Sequence, residues 1–216
     1  ATLTNVLAGA AGAIVELASG PINPAIKSSL TLCHIDTYSL IVTNASSSVG
    51  TITLTAPVLA GVEILNITNS ENTTVTALTG ALALTNINVT GGSTAPVSIS
   101  TGAIALQTNF AVNASGLAGN FVFNGTGATT NGFSVTGGSG TNTITGGNQI
   151  FSANLSASTT KMDTINVTNA TGGTAALANA KITGFTSSAD ATVGDKIETI
   201  GVAVIQADVA AGTATG

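Results

Sequence analysis

Short runs in which apolar and polar residues alternate constrain this chain more than any other feature. Residues 62–68, 84–90 and 163–168 place an apolar side chain at nearly every second position, with Asn and Thr between them. Period two is the spacing of side chains on one face of a β-strand. Shorter runs of the same kind lie at 51–54, 97–100, 121–123, 133–136 and 181–185. We therefore predict many short strands, each with one buried face and one face of Thr and Asn.

Glycine-rich turn signals separate these runs. They are Gly91-Gly92, Asn124-Gly125, Asn131-Gly132, Gly137-Gly138 and Gly172-Gly173. The spacing between runs is irregular, which fits either a β-solenoid resembling a β-roll or a β-sandwich. In a solenoid, Thr and Asn side chains would stack into hydrogen-bonded ladders along the axis. In a sandwich, they would line the outer faces.

Helix signals are weak, so we predict an all-β fold. Residues 2–17 and 173–180 are rich in Ala but contain Gly, residues 13–17 fit a strand equally well, and residues 202–211 are ambiguous. No run reaches the roughly 18–20 apolar residues of a membrane span. Residues 1–20 are interpreted as an N-terminal arm or a first strand. Residues 21–216 are interpreted as an all-β structural domain, with a subdivision near residue 60 as an alternative.

Charge is scarce and unevenly placed. The chain has 4 Lys, no Arg and 9 acidic residues, for a net charge of −5. Nucleic acid is therefore not expected as a partner, because phosphate binding needs clustered Lys and Arg. Residues 72–160 contain no charged side chain at all. That stretch cannot supply a carboxylate acid or base, a carboxylate metal ligand or an ionic substrate clamp.

The residues best suited to catalysis lie in the segment Cys33-His34-Ile35-Asp36. Cys33 and His34 are neighbours in sequence, and neighbours in a strand point to opposite faces, so they would not share a proton. A buried Cys and a partly solvated His are the simpler interpretation. His34 is the single His of the chain, which excludes a His-rich metal site and any triad that uses another histidine as its base. We therefore expect no enzymatic activity.

Residues 137–147, Gly-Gly-Ser-Gly-Thr-Asn-Thr-Ile-Thr-Gly-Gly, resemble the glycine-rich nonapeptide of the RTX family. Asn142 stands where that family has an aspartate. In RTX proteins this motif binds Ca²⁺ between turns of a parallel β-roll. The resemblance implies that Asn142 is a candidate calcium ligand, with an amide oxygen in place of a carboxylate.

Segments nearer the carboxyl end are similar to the closing segments of RTX and bacterial surface-layer proteins. They are residues 163–167, 182–185 and 195–198. This resemblance implies a secreted surface-layer or filament protein.

Asp190, Asp195 and Glu198 form the densest acidic patch and are calcium candidates as loop oxygen ligands. Solvated loop carboxylates are the alternative, and no other cofactor is predicted.

N-glycosylation sequons, Asn-x-Ser or Asn-x-Thr, are numerous. They begin at Asn44, Asn66, Asn72, Asn88, Asn113, Asn124, Asn154, Asn166 and Asn169. Glycans at these positions would supply the hydration that the missing charges do not. The sequence therefore offers these asparagines as glycosylation candidates.

Together these features predict a structural subunit of an extracellular or cell-surface polymer that self-assembles through strand edges or strand donation. The polymer would be a surface layer, a sheath or a non-flagellar filament. The alternative is an adhesin or carbohydrate-binding module that recognises cell-surface glycans, but the chain has no Trp, one Tyr and six Phe for a sugar platform. A polysaccharide-cleaving β-helix enzyme is disfavoured by the absence of Arg.

Overall fold

The computed structural model describes residues 4–7, 13–16, 20–22, 25–27, 35, 37–43, 51–78, 80–147, 149–168, 180–188 and 193–200. The described residues form strands and turns with no helix. Every strand pairing among them is parallel, so the fold is all-β, as the sequence predicts.

Two eight-stranded sheets make up most of the fold. The first sheet contains β2 (Ala13–Glu16), β5 (Thr37–Thr43), β8 (Ile64–Asn69), β10 (Asn86–Gly91), β13 (Phe110–Leu117), β16 (Phe133–Thr136), β18 (Phe151–Asn154) and β20 (Lys181–Thr183). The second contains β3 (Gly20–Ile22), β6 (Thr51–Leu54), β9 (Asn72–Val75), β11 (Val97–Ser100), β14 (Phe121–Asn124), β17 (Asn142–Thr145), β19 (Thr164–Thr168) and β21 (Lys196–Ile200). Smaller sheets are formed by β1 (Thr4–Leu7), β4 (Ala25–Lys27) and β7 (Val58–Ala60), and by β12 (Ile104–Ala105) and β15 (Ala128–Thr130).

The chain passes alternately through the first and the second sheet, and each return pairs a new strand beside the previous one. Residues 64–168 complete five such turns, from β8 to β19. Parallel strands need a crossover between them, and here the crossover is the strand of the opposite sheet. The architecture is therefore a β-solenoid, which decides between the two architectures that fit the sequence.

The core lies between the two sheets and follows the alternation of the sequence. In β16, β17 and β18, buried and half-buried residues alternate strictly. Three phenyl rings form the centre of the middle turns: Phe123 meets Phe133 edge-on with centroids 5.3 Å apart, and Phe133 stacks on Phe151 at 5.6 Å. Since the inward side chains are apolar, the outer faces are left to Thr, Ser and Asn.

Most of the predicted strands are present, with small shifts at their ends. The run at 62–68 becomes β8, and the runs at 51–54, 97–100 and 133–136 become β6, β11 and β16. Residues 2–17, where a helix was an alternative, contain β1 and β2. Residues 173–179 and 202–211 lie outside the described residues. No helix in the described ranges is long and apolar enough to cross a membrane.

Candidate functional site

The most distinctive polar feature is a line of inward positions along the second sheet, called here the inner column. Strand register aligns these positions one turn apart: Ile52, Thr73, Val97, Phe121, Asn142, Asp163 and Asp195. Three of the first four side chains are apolar. The last three carry an amide and two carboxyl groups, so the column changes character between Phe121 and Asn142.

Asn142 is fully buried and uses both ends of its amide. Its Nδ2 donates to the carbonyl oxygens of Gly138 and Gly140, at 3.1 and 3.0 Å, and to Asp163 Oδ1 at 3.0 Å. Its Oδ1 accepts from the Gly138 backbone N–H at 2.8 Å, and its own backbone N–H donates to Asp163 Oδ1 at 2.7 Å. The amide thus fixes the loop before β17 and joins two consecutive turns.

Glycine is required where this loop lies against the preceding turn. A Cβ at Gly138 would lie 2.4 Å from the carbonyl oxygen of Leu117, and a Cβ at Gly140 would lie 2.5 Å from that of Gly119. No side chain tolerates such contacts with backbone, so only glycine permits this close approach. The glycine-rich motif thus serves the packing of one turn on another.

Asp163 continues the column and is completely buried. Its backbone N–H donates to Asp195 Oδ1 at 2.9 Å, and the Thr186 backbone N–H donates to Asp195 Oδ2 at 2.7 Å. Asp163 Oδ1 is held by Asn142, but Asp163 Oδ2 and Ser158 Oγ are buried without a hydrogen-bond partner among the described residues. Asp163 is therefore the incompletely satisfied member of the column.

Burial raises the pKa of Asp163 to about 6, from a usual value of 3.8, because the charged form loses its hydration. The hydrogen bonds from Asn142 oppose this rise, while the Asp195 carboxylate adds to it. The neighbouring Ser158 hydroxyl also lowers the pKa slightly, without reaching hydrogen-bond geometry. Sequence reasoning placed Asp163 in a segment that resembles surface-layer proteins but did not select it as a site residue, although Asn142, Asp163 and Asp195 each stand two residues before an Ile.

The four calcium candidates, Asn142, Asp190, Asp195 and Glu198, do not form one site in the structure. Asn142 and Asp195 belong to the inner column, and their side-chain oxygens accept backbone N–H groups. Glu198 forms an ion pair with Lys196, and Asp190 lies outside the described residues. At Asn142 an NH₂ group faces the loop carbonyls where a calcium loop would hold its cation, so the donor set there does not fit the ion.

Within the described ranges, no group of three or more His, Cys, Asp or Glu side chains could hold a metal ion. Calcium binding by Asp190, Asp195 and Glu198 remains a prediction. Cys33, His34 and Asp36 also lie outside the described residues. The nearby Tyr38 is buried, and the loss of hydration raises the pKa of its hydroxyl.

Asn and Thr side chains line the outer face of the first sheet in a second line, called here the outer column. It consists of Ser39, Asn66, Asn88, Asn113, Thr136, Asn154 and Thr183, one residue from each turn. Asn88 Nδ2 donates to Asn66 Oδ1 at 2.8 Å, and Asn66 Nδ2 donates to Ser39 Oγ at 3.5 Å. On the second sheet, Asn166 Nδ2 donates to Thr145 Oγ1 at 3.2 Å. These three bonds are of the ladder type expected in a solenoid, and within the outer column they join Ser39, Asn66 and Asn88.

Six of the nine sequon asparagines therefore lie in or at the ends of strands with outward side chains: Asn66, Asn88, Asn113, Asn124, Asn154 and Asn166. Asn72 begins β9 and is half-buried. Asn44 and Asn169 lie outside the described residues. The solenoid thus brings four of the sequons, which are far apart in sequence, into one outer column.

Two shallow grooves lie beside the starts of the first-sheet strands. One, of about 580 Å³, is lined by residues that include Leu82 and Gln107. The other, of about 370 Å³, includes Ile150 and Lys181 together with three Phe rings that are 1–4% exposed. Neither groove presents an exposed aromatic ring for a sugar to stack on.

Comparison of the chain with protein-family models, with curated proteins and with solved structures finds no match. The fold and the surface chemistry of the described residues are therefore the basis for any assignment of function.

Proposed function

We propose that this chain is a structural subunit of an extracellular, self-assembling polymer, such as a surface layer, a sheath or a non-flagellar filament. The observation that carries the proposal is a solenoid whose middle turns, within residues 72–160, hold no charged side chain. Copies of such a surface repel one another weakly, while the outward Thr and Asn groups remain able to hydrogen-bond.

The topology supports the proposal of association through strand edges. In the described part of the chain, β20 and β21 end the two main sheets and pair on one side only. An edge strand of this kind offers backbone N–H and C=O groups to a further strand. A second copy could supply that strand by stacking its first turn or by donating residues 1–20, which contain β1 and β2.

The charged side chains on β20 and β21 affect which strands can pair with this end of the solenoid. Lys181 begins β20, and Lys196 and Glu198 lie on β21, whereas the same columns in the middle turns are uncharged. Charged side chains on an edge strand restrict indiscriminate pairing. We infer that the terminal turn accepts a matching copy rather than any exposed strand.

Electron microscopy and light scattering of the purified chain test the proposal. We expect regular polymers in the parent chain and none in a Lys181→Glu/Lys196→Glu double variant. The control is Lys161→Glu, an exposed position outside the edge strands, which should polymerise normally. Deleting residues 1–20 removes β1 and β2, on which strand donation and stacking of the first turn both depend, and should leave a monomer. A parent chain that stays monomeric at every concentration contradicts the proposal.

A further inference from the structure

Six of the seven described sequons divide into two sets by what the asparagine amide does, and Asn72 belongs to neither. N-glycosylation attaches the sugar to the amide nitrogen, so the state of that nitrogen matters. In Asn66, Asn88 and Asn166, called here the ladder sequons, Nδ2 donates a hydrogen bond to a side chain of the neighbouring turn. The Oδ1 of Asn166 is also buried. The amide nitrogens of the ladder sequons are therefore already engaged in hydrogen bonds between turns.

In Asn113, Asn124 and Asn154, called here the turn sequons, the amide has the opposite orientation. Each Oδ1 accepts the backbone N–H two residues on, from Ser115 at 3.0 Å, Thr126 at 3.0 Å and Ser156 at 3.1 Å. The Thr126 hydroxyl also donates to Asn124 Oδ1 at 2.8 Å. Such Asx turns fix the oxygen toward the backbone. Nδ2 of these three residues donates to no partner in the described part of the chain.

Position in the strands also distinguishes the turn sequons, whereas exposure alone does not. Ser115, Thr126 and Ser156, which complete the turn sequons, are exposed, but so are Thr68 and Thr90 of two ladder sequons. Asn113 is exposed and lies where the pairing of β10 with β13 shifts register, while Asn124 and Asn154 are the last residues of β14 and β18. Each turn sequon therefore lies at an irregularity or an end of a strand. Sequons used for glycosylation are found on such surface segments.

Spacing separates the two sets further. Neighbouring turns of a parallel sheet lie about 4.8 Å apart. Asn66 and Asn88 occupy consecutive turns, so glycans on both would crowd each other. Between Asn113 and Asn154 lies the turn that carries Thr136, and Asn124 is on the other sheet. The three turn sequons can therefore carry glycans at the same time.

We propose that Asn113, Asn124 and Asn154 are the N-glycosylation sites of the folded chain, and that the ladder sequons are not modified. The donor is a sugar activated by a diphosphate at its anomeric carbon. The amide nitrogen forms a bond to that carbon and loses one proton. The bond from the carbon to the diphosphate oxygen breaks, and the diphosphate leaves with the electron pair.

The experiment treats the folded, monomeric chain with a soluble N-glycosyltransferase and uridine diphosphate glucose, and measures occupancy at each sequon by peptide mass spectrometry. Synthetic peptides carrying the six sequons give the reactivity of each site without the fold. Relative to these peptides, we expect about tenfold higher occupancy at the turn sequons than at the ladder sequons, since modification of the latter must displace a ladder hydrogen bond.

Two triple variants remove either the turn sequons or the ladder sequons. Among these six sites, a triple Asn113→Gln, Asn124→Gln, Asn154→Gln variant should lose nearly all label, while Asn66→Gln, Asn88→Gln, Asn166→Gln should retain it, with circular dichroism confirming the fold. Equal occupancy of both sets in the folded chain overturns the proposal. So does an unlabelled folded chain beside labelled peptides. Because the assay uses monomer, its outcome is independent of whether the chain polymerises.

Discussion

The two halves of the inner column fill equivalent positions by opposite means. At Ile52, Val97 and Phe121 the position holds an apolar side chain that is fully buried. At Asn142 and Asp163, equally buried, it holds polar groups joined across turns by hydrogen bonds. Apolar and polar side chains can therefore both fill this position, with the polar atoms paired at Asn142 and incompletely paired at Asp163.

The two solutions differ in what they tolerate. The apolar half depends on volume, because close packing leaves no room for loss or gain of a methylene group. The polar half depends on matching each donor to an acceptor, because an unpaired buried polar group costs free energy. Asp163 Oδ2 is where that matching is incomplete. Three substitutions test this difference.

The largest effect is expected at Phe121, the last apolar member of the column. Phe121→Ala removes a fully buried ring and should lower the free energy of unfolding by about 4 kcal/mol. Denaturant titration followed by circular dichroism measures this loss. Val122→Ala, at the next position on the outer face, is the control and should change stability by less than about 0.5 kcal/mol. Equal effects of the two changes would contradict the assignment of the buried face.

The alternation of apolar and polar residues predicted some strands of the second sheet and missed others. Alternation identified the strand β11 and its inward Val97, because burial of one face imposes period two. It did not identify β9 or β17, whose few apolar residues, Val75 and Ile144, give too weak a pattern. The glycine-rich motif around Asn142 resembled a calcium loop, and part of it is a strand of the second sheet.

The choice of a solenoid and the pairing of turns could not be read from the sequence, because the turns differ in length. Phe133 pairs with Phe151, 18 positions on, whereas Asn86 pairs with Ala111, 25 positions on. Varying loops between the strands conceal the repeat. The contact between Asn142 and Asp163 therefore appears only once the turns are stacked, and the role of Asp163 depends on that contact.

A smaller effect is expected when a charge replaces the Asn142 amide. Asn142→Asp is nearly isosteric, but it exchanges the NH₂ donor for an acceptor that faces the Gly138 and Gly140 carbonyls and Asp163. At neutral pH the loss in unfolding free energy should be about 3 kcal/mol, as for an uncompensated buried charge. Asn120→Asp is the matched control: Asn120 is exposed and accepts from the Thr141 N–H, as a carboxylate also can.

Added Ca²⁺ tests why Asn142→Asp loses stability. If the NH₂ group of Asn142 stands where a cation would otherwise lie, added Ca²⁺ should restore stability to Asn142→Asp and leave the parent chain unchanged. Thermal unfolding with Ca²⁺ and with a chelator measures this. An Asn142→Asp chain as stable as the parent in chelator would show that the amide hydrogen bonds contribute little to the column.

The smallest effect is the pH dependence contributed by Asp163. Its pKa is about 6 in the folded chain, against 3.8 as the usual value, so between these pH values the folded state retains a proton that the unfolded state has lost. The contribution to stability is therefore greatest below pH 4 and falls as pH rises through 6. From pH 5 to pH 7 the loss should be about 1 kcal/mol.

Asp163→Asn removes the titrating group and places an amide beside the Ser158 hydroxyl, so its unfolding free energy should lack this decline. Denaturant titrations of both chains at pH 5, 6 and 7 supply the comparison. Parallel curves for the two chains would mean that the buried carboxyl is fully paired in solution, and that the polar half of the column is as complete as the apolar half.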